Sequence, residues 1–161
     1  EIVLHFARRP PVTRDPQAIL ESIDWIAHGI EIVQSVFPGW KFRAPDTMAA
    51  FALHGRLLVG PPVPVKDIDD CAAKLASFRI TLARDGAVQA EGGGANVLDS
   101  PLLAFAHLAD LLTRQPAFAP VQAGELVTTG TLTAALPVKA GETWSTSLSG
   151  LDLPGLAVTL A

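Results

Sequence analysis

The sequence predicts an α+β domain, mostly antiparallel β-strand with about three helices, spanning residues 1–161 as one unit. Three observations point there. Hydrophobic residues fill 49% of the 161 positions and charged residues 17%, which suits one packed core and excludes a disordered chain. Thirteen glycines and thirteen prolines supply many turns, against an all-helical bundle. Short apolar runs of period two, such as Phe78, Ile80 and Leu82, read as half-buried strands.

The chain opens on Glu1-Ile2-Val3-Leu4-His5-Phe6-Ala7, a strand already under way, which Pro10 and Pro11 end. Asp15-Pro16 signals a helix start, and Ile19, Ile23 and Ile26 at spacings of four and three predict its buried face, with Gly29 as its stop. Ile30 to Val36 reads as a strand with Glu31 between apolar neighbours, then a turn at Phe37-Pro38-Gly39-Trp40. Asp46 is expected to cap a short helix through about Leu53, closed by Gly55. Leu57 to Val59 is a short strand, and Pro61, Pro62 and Pro64 stiffen the loop after it. Asp85-Gly86 turns the strand of Phe78, Ile80 and Leu82 into a hairpin with Ala87 to Ala90. Ser100-Pro101 opens a helix with Leu102, Phe105, Leu108, Ala109 and Leu112 on one face. Short strands follow at Leu126 to Thr129, Thr143 to Leu148 and Leu156 to Leu160. The strand cut at Glu1 gives the expectation that the chain is the C-terminal part of a longer polypeptide.

The formal net charge is −4 and Lys and Arg never cluster, so no nucleic-acid footprint is expected. No apolar run reaches the roughly 18–20 residues that span a bilayer. Cys71, the only cysteine, reads as a core residue, and no Cys/His spacing suits zinc. A reducing, cytoplasmic location fits that usage.

Glu31 is the most informative polar position. It points either to the polar face of its strand or into a site, as a metal ligand or acid–base carboxylate on a rigid strand. With Glu1 it would offer hard oxygens suited to Mg²⁺ or Mn²⁺. Gly92-Gly93-Gly94 lacks the sequence of a nucleotide loop and reads as a hairpin exit or bulge. Thr128-Thr129-Gly130-Thr131 is either ordinary strand plus turn or a cradle for a carboxylate. His5, His28 and His107 read as structural, the last two on helices. His54, at a helix end beside Gly55, is the candidate for an active-site role.

Several of these segments, in order, resemble the hydratase/decarboxylase branch of the fumarylacetoacetate hydrolase superfamily. Gly29-Ile30-Glu31-Ile32-Val33-Gln34-Ser35 is similar to the family's "A-I-E-I-V-D-S". Gly39-Trp40-Lys41-Phe42 and Pro45-Asp46-Thr47-Met48-Ala49 match "D-W-K-I" and "D-T-V-A-D-N". Gly92 to Leu102 resembles "G-x-G-A-A-V-L-G-N-P-L", and Ala123 to Thr133 resembles "A-G-D-I-I-L-T-G-S-L-T", with Pro137 to Glu142 completing the set.

The resemblance implies a largely antiparallel roll or barrel of the family's C-terminal type. It implies a Mg²⁺ or Mn²⁺ site with Glu31 as one ligand and Glu1 as the second member of a Glu-x-Glu pair. The first member and the family's catalytic lysine would lie upstream. The activity implied is a lyase reaction of 2-keto acids in aromatic or related catabolism: hydration of a 2-keto-4-enoate through a metal-stabilised enolate. Gly130 and Thr131 would face the substrate carboxylate, with His54 as the catalytic candidate. Alternatives are decarboxylation of the 4-oxalocrotonate type, C–C hydrolysis of acylpyruvates, and a degenerate keto-acid-binding or partner subunit. The chain departs from the family where Ala50-Phe51-Ala52-Leu53-His54-Gly55 replaces "D-N-A-S-S-G" and its serine hydroxyls. A homo-oligomer, or a complex of hydratase with decarboxylase, is also implied, with neither nucleic acid nor membrane as partner.

Overall fold

The computed structural model describes residues 1–161. Its nine strands form two sheets in which every pairing is antiparallel. The first sheet has β1 (Ile2–Phe6) between β2 (Ile23–Val33) and β7 (Leu126–Thr128). On the far side of β2 lie β3 (His54–Val59) and the two-residue β4 (Val63–Pro64). Ile2, Leu4 and Phe6 point into the main core and are fully buried, and Val3 on the opposite face is buried too.

Strand β2 corrects the helix expected over residues 16–28. The helix α1 (Pro16–Leu20) is real and Asp15 caps it, its carboxylate accepting the Gln17 N–H at 3.0 Å, but it ends after five residues. Ile23 and Ile26 share the core face although they are three apart on a strand. The register steps from His5↔Trp25 to Phe6↔Ile23, and this bulge passes over Asp24. A helical spacing was thus produced by a bulged strand. Gly29, expected as a helix stop, and His28, expected on that helix, both lie inside β2.

The second sheet runs β6 (Ala87–Gly93), β5 (Arg79–Arg84), β8 (Thr143–Ser149), β9 (Ala157–Thr159). The Asp85-Gly86 hairpin joins β5 to β6 as the sequence predicts, with Asp85 at φ +49° and Gly86 at φ +82°. Helices α3 (Cys71–Ser77) and α4 (Pro101–Thr113) close the core with α1. Ser100 caps α4, and Leu102, Phe105 and Ala109 are buried as their spacing predicts, with the Phe105 ring 4.5 Å from that of Phe6. The Cys71 thiol is buried and its pKa is pushed up to about 11, so it is an inert core group.

The connection between β2 and β3 carries α2 (Ala44–Ala49), which starts before Asp46 rather than at it. Pro45 suits the first turn, and the Asp46 carboxylate instead accepts the Arg43 N–H at 2.8 Å. The helix stops at Ala50, and Phe51, Ala52 and Leu53 take positive φ in place of its expected last turn.

Gly92 and Gly94 make close packing of backbone on backbone possible. A Cβ on Gly92 would run into the Leu132 carbonyl, and one on Gly94 into the Leu75 carbonyl and the Phe78 ring. Gly86 has open space around it and needs only its positive φ. Urea denaturation is therefore expected to show Gly86→Ala losing about 1–2 kcal/mol. Gly94→Ala should lose more than about 3 kcal/mol, the range of severe core damage. Equal losses would show that crowding at Gly94 is relieved by backbone movement.

Candidate metal and keto-acid site

The site starts from a pair of backbone hydrogen bonds. The Gly29 N–H donates to the Glu1 carbonyl at 2.9 Å, and the Glu1 backbone nitrogen donates to the Gly29 carbonyl at 2.7 Å. Residues paired across a ladder share a face and strands alternate, so Glu1, Gly29 and Glu31 lie on one face. Gly29 brings no side chain between the two carboxylates. A Cβ there would lie 2.9 Å from the Val3 side chain, so the position is also sterically closed.

Burial pushes the Glu1 carboxyl above the usual range, and the nearby Glu31 carboxylate adds to the rise. The Thr128 hydroxyl acts against it. Glu1 Oε2 is buried and has no hydrogen-bond partner. Two facing carboxylates with an orphaned oxygen call for a proton or a cation, and hard oxygens suit Mg²⁺ or Mn²⁺. The residues present therefore fit a divalent ion, although no cluster of three His, Cys, Asp or Glu side chains forms within this chain.

His54 opens β3 opposite Val33, where a shift in register brings its ring to Glu31. Its Nδ1 lies 2.7 Å from Glu31 Oε1, so the imidazole fixes that carboxylate. His54 is thus on a strand, after a 3-10 turn (Phe51–Leu53), rather than on the end of the helix expected there. Thr128 ends β7 opposite Val3, hence on the Glu1 face. Its hydroxyl serves Glu1, a role that the reading of the Thr128 to Thr131 segment as a substrate cradle missed.

Beyond β7 the chain turns at Gly130, φ +106°, a conformation that favours glycine. Thr131 then lines a cavity of about 160 Å³ together with Glu1 and Glu31. Gly130 and His54 do not line it. Ile80, Leu82, Trp144 and Val158 of the second sheet form its apolar wall.

His28 also lines the cavity and is 1% exposed. Its Nδ1 lies 3.1 Å from the Glu1 carbonyl and its Nε2 2.9 Å from Thr146 Oγ1. Burial pushes its pKa down to about 4, so the ring is neutral. Nothing local in the sequence signals this, because Thr146 is 118 residues away. His5 and His107 stay outside the site.

No family model matches the chain. It is 36% identical over 134 residues to the 2-keto-4-pentenoate hydratase of Burkholderia vietnamiensis, a stretch covering 83% of this chain and 48% of that protein. It is 31% identical over 151 residues to the 2-hydroxyhexa-2,4-dienoate hydratase of Comamonas testosteroni, covering 93% of this chain and 54% of that one. All of this chain superposes on 59% of 4-oxalocrotonate decarboxylase from Pseudomonas putida G7, complexed with magnesium and adipate, with TM-score 0.85 and 25% identity. The chain spans about half the length of the curated relatives it matches. The two antiparallel sheets with few helices are the fold of that decarboxylase, and the sequence likeness to the hydratases runs through both sheets. The chain belongs to the hydratase/decarboxylase branch of the fumarylacetoacetate hydrolase superfamily.

Proposed function

We propose that the protein acts on 2-keto acids as a divalent-metal-dependent hydro-lyase, adding water to a 2-keto-4-enoate. The observation that carries this reading is the Glu1–Glu31 carboxylate pair, with Glu1 Oε2 buried and unpartnered beside a cavity. Magnesium in the decarboxylase complex supports a divalent ion as its occupant. Glu1 and Glu31 would hold the ion, together with the third acid that the family resemblance implies. The bound ion would polarise the keto group and stabilise negative charge on its oxygen.

The chain's own groups do the rest. Thr131, after the turn at Gly130, offers a hydroxyl to the substrate carboxylate. The apolar wall of Ile80, Leu82 and Trp144 excludes water from one side of the cavity. His54, outside the cavity lining, keeps Glu31 oriented through Nδ1. Decarboxylation of a keto acid is the second reading, favoured by the likeness to the decarboxylase. Loss of ultraviolet absorbance of 2-hydroxypenta-2,4-dienoate with Mn²⁺ tests hydration, and CO₂ release from 4-oxalocrotonate tests decarboxylation. Inactivity on both would sink the enzyme reading.

Thr131→Val keeps shape and strand propensity and deletes one hydroxyl. Losing a hydrogen bond to a charged group costs roughly 1.5–3 kcal/mol, about tenfold to a hundredfold in affinity. Calorimetry should show weaker pyruvate binding and nearly unchanged Mn²⁺ binding. Equal pyruvate affinity would leave Thr131 as a loop residue only.

We also propose assembly as a homo-oligomer. Val36, Trp40, Met48 and Phe51, the last 86% exposed, present apolar surface that a subunit contact would cover. A monomer in sedimentation equilibrium at micromolar concentration would overturn this.

A further inference from the structure

His28 and Thr146 form a polar relay whose proton order can be read from its partners. The Glu1 carbonyl can only accept, so His28 carries its proton on Nδ1 and donates it there at 3.1 Å. The neutral ring's Nε2 must then accept, which makes the Thr146 hydroxyl the donor at 2.9 Å. Thr146 Oγ1 in turn accepts the Leu156 N–H at 2.9 Å. The relay runs from Leu156 through Thr146 and His28 to Glu1, crossing from β8 of the second sheet to β2 and the residue just before β1 in the first.

The Glu1 carbonyl receives two donors, Gly29 N–H and His28 Nδ1–H. Both of its lone pairs are engaged, so the peptide plane that follows Glu1 is held against rotation. The position of the Glu1 carboxylate is inherited from that plane. His28 is also three residues from Glu31 on the same strand, and fixing its ring on Thr146 fixes β2 against the second sheet there.

We infer that His28 is a positioning residue for the Glu1–Glu31 pair, with Thr146 as its anchor, and that the two together set the affinity of the site for a divalent ion. The inference rests on the metal-site reading above. It assigns no proton transfer to His28, whose two ring nitrogens are both engaged in the relay.

The test compares Thr146→Val with Thr146→Ser. Valine removes the hydroxyl that anchors Nε2, while serine retains it. Partners that orient ligands from behind cost about 10–100-fold in metal affinity when removed. Mn²⁺ titration by calorimetry should therefore show Thr146→Val weaker by about tenfold and Thr146→Ser close to the unaltered protein. Nitrogen-15 NMR of the unaltered protein should show the Nδ1–H tautomer of His28, a readout that holds even if Thr146→Val fails to fold. An Nε2–H tautomer overturns the relay. Equal Mn²⁺ affinity in Thr146→Val and the unaltered protein overturns the positioning role and leaves the metal site standing. No Mn²⁺ binding by the unaltered protein overturns the metal-site reading and the positioning role with it.

Discussion

Glu31→Gln is expected to weaken Mn²⁺ binding by about a hundredfold or more, because ligand charge sets the affinity of an oxygen site. Glutamine keeps the length of the side chain, and its carbonyl oxygen still accepts from His54 Nδ1, so the local geometry survives. The like-charge neighbour that raises the Glu1 carboxyl disappears, and the Glu1 pKa should fall towards its ordinary range. Without metal the variant should therefore be at least as stable as the unaltered protein, since repulsion between the two carboxylates is gone. The measurements are Mn²⁺ calorimetry and thermal unfolding followed by circular dichroism. Undiminished Mn²⁺ affinity in Glu31→Gln would remove the central claim about this site.

The second large effect is acid destabilisation by His28. Its ordinary pKa of 6.5 falls to about 4 in the fold. Between those values the unfolded chain binds a proton that the folded chain refuses. Stability must then fall as the pH drops from about 6.5 to about 4, by about 3 kcal/mol in all. Glu1 works in the opposite sense. Its carboxyl is raised above 4.5 in the fold, so its contribution is present at low pH and is lost as the pH rises through the raised value. Bound Mn²⁺ should cancel that second loss. Urea midpoints measured across the acid range should fall steeply for the unaltered protein and less steeply for His28→Asn. Identical slopes for the two would assign the acid sensitivity elsewhere.

What could be read from the sequence divides along physical lines. The Ser100-Pro101 cap, the Asp85-Gly86 hairpin and the period of Phe78, Ile80 and Leu82 are local signals, and each formed where expected. The β2 strand was misread because a bulge at Asp24 puts Ile23 and Ile26 on one face, a spacing that otherwise marks a helix. Asp46 does not cap its helix because that helix already begins at Ala44, with Pro45 in its first turn. The Glu31–His54 contact joins two residues already singled out, but their meeting depends on the register of β2 against β3. Thr128 and the His28–Thr146 relay needed the tertiary structure, since strand pairing and sheet packing alone bring those residues together.

The pairing of β1 with β7 has a consequence for synthesis. Val3 meets Thr128 in that ladder. A ribosome adding about 5–20 residues per second makes the second strand roughly 6–25 s after the first. During that interval β1 has β2 on one side and an open edge on the other, with Ile2, Leu4 and Phe6 still waiting for the helices and second sheet that bury them. Long-range strand pairing is slow, and exposed strand edges associate with one another. The nascent chain is therefore most prone to aggregate before residue 128 leaves the exit tunnel, and a holding chaperone would act on it in that window.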